Sequence, residues 1–420
     1  MGTLIGLDDT DARDVGMCTT YVGSVIADAL VDDGYAVGRR YLIRLNPAVS
    51  YKTRGNAAVA IVTDAPVETA FELASTSVEE LAVLDDPDTN PGVAVVRSTR
   101  VAALRSHTWE AVRGFVDTAV TVDRLRSVDA RVWSAGNGRG LIGATAALGA
   151  PAAFADWTVE FIGYRPRQRY GTDRRVDHET AFEADRATYP LTWDTVDRGE
   201  DTVVCAPRTP GPVLFGLRGA YPEAVIHAAD LLEHEPLERT ALFVTNQGTD
   251  AHLRPGTPGS VRDGGSYLVN GMVDTSVETR RGGHVHLTIA GGDGRLPCVA
   301  FEPTKRFREH VRQLRRGDQV TVCGEVSEGT LKLEKFALRR PRTFTRSVPR
   351  CDDCDRSMES AGTDQGYRCR TCSNTAVSRV TRSVVRRIEP GWYEVPPVAR
   401  RHLARPLCRG GFNGQCHPSR

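Results

Sequence analysis

The segment Thr3–Gly34, TLIGLDDTDARDVGMCTTYVGSVIADALVDDG, sets the architecture of the amino-terminal part of the chain. Thr3–Leu7 reads as a short buried strand. From about Thr19 the spacing predicts a helix, because Val22, Ile26 and Leu30 share one face at i, i+4 and i+8, and Gly34 ends it. Between them lie four acids in seven residues: Asp8, Asp9, Asp11 and Asp14. Asp8 and Asp9 follow the strand directly, and ligands of open α/β sheets bind beyond the carboxyl ends of strands. Hard carboxylates in that place suit magnesium, which sits between one or two carboxylates and the phosphates of a substrate. Thr19 and Thr20 open the next helix. A hydroxyl there either caps the helix or meets a phosphate drawn to the helix amino terminus, and the residues alone leave both readings open.

Working outward, a strand is predicted near Val37–Leu45 and another at Ala57–Val62, joined through NPAVSYKTRGN. The alternation of strands and helices gives an α/β domain over residues 1–152. It closes with AGNGRGLIGATAALGA, a glycine loop entering a helix of small residues. The loop Gly138, Arg139, Gly140, Leu141, Ile142, Gly143 is not a Walker A motif, since no glycine–lysine–hydroxyl triplet follows. Its successive glycines could present backbone N–H groups to phosphate, with Arg139 adding a fork of donors, or they could form a plain tight turn. Only four lysines occur, Lys52, Lys305, Lys332 and Lys335, against fifty arginines. Lys52 is thus the single lysine of the first 304 residues. A compact ammonium suits phosphate in a way arginine does not reproduce. An acidic strand end, a hydroxyl at a helix start, a retained lysine and a glycine-arginine loop are together the parts phosphoryl transfer needs.

Residues 153–255 give strands at Val159–Tyr164, Thr202–Cys205, Val213–Leu217 and Ala241–Thr245 with a helix at Glu223–Glu233, compatible with a ferredoxin-like α+β sandwich. After the connector LRPGTPGSVRDGG, residues 264–342 show five strands, Tyr267–Asp274, His284–Ile289, Leu296–Phe301, Gln319–Val326 and Thr330–Leu338, with a helix at Thr304–Arg315 in the third gap. That is the order of an OB-fold barrel, a frequent single-strand nucleic-acid binder, with a plain small barrel as the alternative. Cys351, Cys354, Cys369 and Cys372 form two CxxC knuckles. They predict a closed tetrahedral zinc (Zn2+) cage in a ribbon over 346–380. The segment 381–420 is basic, and from Arg339 onward the local charge is +10 against −9 for everything before. This suggests a polyanion partner, or else an arginine-rich solvated surface. Cys408, Cys416 and His417 read as part of a frayed tail rather than as metal ligands. The absence of a basic leader, of a long apolar run and of a disulfide framework points to a reducing cytoplasm.

The strings IGLDDTD, GMCTTY, RLNPAVSYKTRGN, GRGLIGA, FVTNQGTDAHL, GGHV, AFEPTKRFR, the two CxxC pairs and PGWYEVPPVARRHL occur in this order. Together they resemble the archaeal tRNA(Ile) agmatidine synthetases, the tRNA(Ile) 2-agmatinylcytidine synthetase family, along nearly the whole chain. The likeness ends after Leu407. It implies a kinase-like α/β catalytic domain, a ferredoxin-like domain, an OB-fold and a zinc ribbon. It also implies a ligase that uses ATP and magnesium (Mg2+) to join agmatine to carbon 2 of the wobble cytidine of the isoleucine tRNA with a CAU anticodon, releasing AMP and phosphate. The family's phosphorylated threonine maps to Thr19. Asp8 and Asp9 would hold magnesium and residues 138–143 phosphates; position and charge add Asp11 to the metal and nucleotide and Lys52 to the phosphates. Agmatine is a dication and calls for a carboxylate, with Asp197, Asp201 and Asp250 as candidates. Two narrower readings compete: a nucleic-acid-binding module without activity, which leaves the front half unexplained, and a small-molecule kinase or ligase, which leaves the rear unexplained.

Overall fold

A computed structural model describes residues 2–52 and 55–420, so Thr53 and Arg54 of the Asn46–Asn56 connection lie outside it. The strand β1 (Thr3–Asp8) is buried along its whole length. It pairs with β3 (Ala57–Thr63) on one side and β4 (Gly92–Arg97) on the other. Beyond these lie β2 (Val37–Arg44) and β5 (Arg131–Ser134). All four pairings are antiparallel, which departs from the parallel sheet that the strand-end argument assumes.

Side chains of β1 alternate between the two faces, as a strand must. Ile5 and Leu7 enter the core under α1 (Thr19–Asp32) and α2 (Val67–Leu81), with Val22, Ile26 and Leu30. Leu4 faces the other layer, made by α3 (Arg105–Arg113), α4 (Thr118–Ser127) and α5 (Gly140–Ala153). Between those positions Gly6 lets α5 come close: a Cβ there would sit 2.4 Å from the Ala144 carbonyl oxygen. That approach explains the run of glycine and alanine in α5. Burying its small side chains places the helix backbone directly on the sheet.

The predicted boundary at 152 is not a break in the sheet. β6 (Thr158–Tyr164) pairs with Arg239–Thr245, which in turn runs parallel to β2 through Val244–Tyr41 and Thr245–Leu42. One sheet of nine strands therefore crosses both halves, ending with Val213–Gly219 and Thr192–Trp193. Two helices, α6 (His178–Thr188) and α7 (Pro222–Asp230), pack against each other beside it. The helix α6 is absent from the sequence expectation, because much of its buried face is alanine, Ala181 and Ala184. Alanine leaves little periodic signal.

The strands Ser266–Val273, Val285–Gly291, Gly294–Ala300, Gln319–Ser327 and Thr330–Arg340 close into a five-stranded barrel. Its helix α8 (Phe307–Arg312) is shorter than expected; a 3-10 turn, Glu302–Thr304, and Lys305 at φ 50 precede it.

The carboxy-terminal segment corrects the expectation of a frayed tail. Gly391–Glu394 adds to the last barrel strand, and Cys416–His417 pairs with Trp392–Tyr393. The cause is non-local burial: Trp392, Leu403 and Leu407 pack with Cys323 and Ala337 on the outside of the barrel. The ring of His417 stacks on Tyr393 at 4.5 Å, and Arg420 pairs with Asp185 at 2.9 Å. Much of the basic surplus is also internal. Arg386 grips Asp318 at 2.6 Å, and Arg400 holds Asp194 at 2.7 Å and Glu394 at 2.9 Å. Arg401 pairs with Glu325 and Glu334, and Arg405 and Arg409 with Asp156. Among the described residues no helix is long and apolar enough to cross a membrane.

Candidate active site

A cavity of about 410 Å³ opens where the end of β1, the amino termini of α1 and α5, and β6 converge. Asp8 is the last residue of β1 and lies against α5. A Cβ at Gly143 would fall 1.8 Å from Oδ2 of Asp8, so only glycine lets helix and carboxylate share this space. Asp9 follows at φ 61, a left-handed turn that aspartate tolerates better than most residues. Its Oδ2 accepts from Arg139 Nε at 2.9 Å and from the Asn90 N–H at 3.2 Å. The Arg139 guanidinium lies 5.1 Å from the centre of the Tyr51 ring. Asp11 also lines the cavity.

Burial pushes the Asp8 carboxyl well above the usual carboxylate range, and the charges of Asp9 and Asp11 push it further. Burial also raises Asp9, against the pull of Arg139. Clustered oxygen donors whose charge is costly without a cation are the donor set that magnesium takes. Asp8 and Asp9 are the residues that would hold it.

Thr19 is the first residue of α1, only 4% exposed and on the cavity wall. The capping reading fails. The N-cap is Cys18 and no side chain caps the helix. Instead, Thr19 Oγ1 lies 3.1 Å from Thr10 Oγ1, and Thr20 Oγ1 lies 3.0 Å from Cys18 Sγ. Thr19 and Thr20 therefore line the cavity at a helix amino terminus, where the macrodipole favours anions.

Lys52 lines the same cavity, but its ammonium donates to the carbonyls of Pro47 and Val49, the latter at 2.9 Å. Burial lowers its pKa. The glycine loop also behaves differently from the expectation of free N–H groups. Gly138 N–H donates to Ala135, Arg139 N–H to the Asn137 side chain, Gly140 N–H to Asn90, and Leu141 and Ile142 close turns on Gly138 and Arg139. Arg139, Ile142 and Gly143 line the cavity; Gly138, Gly140 and Leu141 do not. The glycines serve close packing: a Cβ at Gly140 would meet Gly92 N at 2.5 Å.

The three acids expected to meet agmatine lie off the cavity wall. Asp197 is fully buried and accepts from Arg306, Gly199, Glu200 and Val398. Asp201 is exposed and pairs with His178 at 3.2 Å. Asp250 binds Lys335 at 2.9 Å and the Arg405 N–H. The acid that the sequence reading missed is Glu160, in the middle of β6 and on the cavity wall with Arg44 and Arg218. Its signal is present: a charged residue inside the otherwise apolar run TVEFIGY.

Far from this cavity in sequence, the sulfurs of Cys351, Cys354, Cys369 and Cys372 all lie within 4.8 Å of one another. Cys351 and Cys372 are 3.1 Å apart, and Cys354 and Cys369 3.3 Å. A tetrahedral zinc–thiolate centre, with Zn–S about 2.3 Å, needs its sulfurs about 3.8 Å apart, close to this arrangement. It is the single group of its kind among the described residues, and Cys408, Cys416 and His417 do not form another.

Residues 4–65 match the TiaS TCKD domain, 138–252 the TiaS FLD domain and 348–388 the TiaS C-terminal zinc ribbon domain. The chain is 46% identical to the isoleucine-tRNA 2-agmatinylcytidine synthetase TiaS of Haloquadratum walsbyi across the full length of both. It is 43% identical to that of Methanosarcina acetivorans, over 99% of this chain and all of the relative. The chain belongs to the TiaS family. Among solved structures, the complex of a TiaS with isoleucine tRNA and ATP superposes with a TM-score of 0.90 at 38% identity, covering all of both chains. The complex of TiaS with isoleucine tRNA, AMPCPP and agmatine gives 0.88 at 36% identity, again over both whole chains. The TiaS FLD match begins at Gly138 and so includes α5, which packs on β1.

Proposed function

We propose that this protein joins agmatine to carbon 2 of the wobble cytidine of isoleucine tRNA, using ATP and releasing AMP and phosphate. The front unit, residues 1–152, is read as the kinase-like catalytic domain, 153–255 as ferredoxin-like and 264–342 as an OB-fold. Residues 346–380 are read as a zinc ribbon and 381–420 as a segment that ties the barrel to the rest. The carbonyl oxygen at carbon 2 of cytosine is a poor leaving group. Phosphorylating it with one phosphoryl group of ATP supplies a good one, and the primary amine of agmatine then attacks carbon 2, loses a proton and displaces phosphate; the other phosphoryl group passes to Thr19 and from there to water as a second phosphate, so that AMP remains.

The observation that carries the reading is the convergence of Asp8, Asp9, Thr19 and Arg139 on one cavity. In our assignment Asp8 and Asp9, with Asp11 beside them, would hold magnesium, which would supply the positive charge that the phosphates of ATP need. Thr19 offers its hydroxyl to the nucleotide as phosphoryl acceptor. Arg139 and Gly143 border the phosphates, and Lys52 reaches them by leaving the Pro47 and Val49 carbonyls. Phe115, 60% exposed, and Tyr51, 46% exposed, stand on the cavity wall as faces on which an extruded base can stack. Zinc holds the ribbon, whose neighbourhood exposes Arg346, Arg368, Arg370, Arg379, Arg382 and Arg387 to grip the tRNA backbone.

The test is an incubation of purified protein with ATP, magnesium, radiolabelled agmatine and a transcript of the isoleucine tRNA with a CAU anticodon. Label entering the RNA, with AMP formed, supports the reading. ATP turnover that needs no RNA would favour a small-molecule kinase, and RNA binding without label transfer a non-catalytic module.

A further inference from the structure

Glu160 is the single acid on the cavity wall, among the described residues, that lies outside the Asp8–Asp11 loop. It occupies the middle of β6, opposite Arg218 on the next strand, and its side chain is 5% exposed. Its two oxygens differ. Oε2 accepts from Arg44 Nη2 at 3.2 Å, and Arg44 is fixed in turn by Gln247 at 2.8 Å. Oε1 has an ion-pair contact with Arg218 Nε at 3.5 Å, and that nitrogen forms no hydrogen bond. Gly216 keeps this edge open, since a Cβ there would lie 2.9 Å from Oε1. Gly143 uncovers Asp8 in the same way across the cavity.

We propose that Glu160 and Arg218 read the Watson–Crick edge of the extruded cytidine and so set the enzyme's choice of base. This rests on the functional reading above. Enzymes that extrude a base read that edge by hydrogen bonds, and a carboxylate is the natural acceptor for the N4 amino group of cytosine. Glu160 Oε1 accepts from N4–H and the Arg218 guanidinium donates to N3. Uracil presents a carbonyl where cytosine has its amine, and oxygen would face oxygen. A carboxylate flanked by two guanidinium groups has its charge already matched, so the wall suits a neutral aminopyrimidine better than dicationic agmatine. With N4 anchored on β6, the carbon 2 oxygen is left free to face Thr19 and the Asp8 side.

The test uses tRNA assembled from two halves, with either cytidine or the pyrimidin-2-one ribonucleoside, which lacks the exocyclic amine, at the wobble position. Wild-type protein should prefer cytidine by about 10- to 100-fold in kcat/KM, the range for one well-placed base contact. Glu160→Ala should lower transfer to cytidine and bring the two substrates level, with KM for agmatine unchanged. Nucleotide affinity and thermal unfolding report whether the variant is folded, and Arg218→Ala provides a second variant with the same expectation. An equal response of wild-type protein to both bases, or the same preference in Glu160→Ala as in wild type, would overturn the proposal. So would a raised KM for agmatine with the preference intact, which would make Glu160 the counter-ion of agmatine. Failure of wild-type protein to label the cytidine tRNA would instead sink the functional reading itself.

Discussion

Buried charge is arranged in opposite ways in two regions of this molecule. At the seam between the barrel and the carboxy-terminal segment, acids meet guanidinium groups: Arg400 with Asp194 and Glu394, Arg401 with Glu325 and Glu334, Arg386 with Asp318. In the cavity, Asp8 is buried beside Asp9 and Asp11 and makes no ion pair among the described residues. The seam is complete within the chain. On the proposed reading the cavity would be completed by a cation and its phosphate ligand, and that difference would separate structural from functional burial of charge.

The ribbon offers the strongest test of that distinction, because its four thiols are completed by zinc. Structural zinc contributes about 10 kcal/mol or more to small domains of this kind. Chelation, or Cys351→Ser, should unfold residues 348–388 and weaken tRNA binding while the rest of the chain stays folded. Zinc content measured on the variant checks this, and undiminished zinc would remove Cys351 from the cage. In the cavity, Thr19→Ala should lower agmatine transfer by about 1,000-fold, near 4 kcal/mol of barrier, with stability and tRNA affinity close to wild type. Steady-state kinetics beside a binding titration separate the two effects. At the seam the pattern should reverse. Arg400→Ala strands two buried carboxylates and should cost about 3 to 4 kcal/mol of stability in denaturant unfolding.

A smaller effect comes from two neutral histidines buried near the seam, His252 and His402, with ring centres 6.0 Å apart. Burial lowers His252 from 6.5 to about 4, and lowers His402 as well. Between those two values the unfolded chain binds the proton and the folded chain does not. Stability is therefore full above pH 6.5 and falls as the pH drops toward 4, with His252 alone accounting for about 2 kcal/mol by pH 5. Unfolding midpoints across this range, compared with His252→Gln, should show the slope shrink in the variant.

Elements whose signal is local were legible in the sequence. The β1 strand, the helix after Thr19, the glycine entry to α5, the five barrel strands and the two cysteine knuckles are each written in a short window. The continuous sheet was not legible, because the pairing of Tyr41 and Leu42 with Val244 and Thr245 joins residues some two hundred positions apart. The order of the tail was hidden for the same reason, since Leu403 and Leu407 reveal their role only against the barrel. Charge alone does not tell whether an acid is free at the three agmatine candidates. Asp197 and Asp250 read as available carboxylates, yet each is held by a cation and a backbone N–H. Glu160 is hard to read from sequence because a single acid within an apolar strand carries no spacing pattern, and its partners Arg44 and Arg218 lie far away along the chain.

The most direct test of the account is nucleoside analysis of the wobble position after incubation of the isoleucine tRNA with ATP, magnesium and agmatine, with wild-type protein and with Asp8→Asn in parallel. The account predicts the agmatine adduct of cytidine from the wild type and unmodified cytidine from the variant, with tRNA bound equally well by both. Adduct formed by Asp8→Asn at the wild-type rate would contradict it.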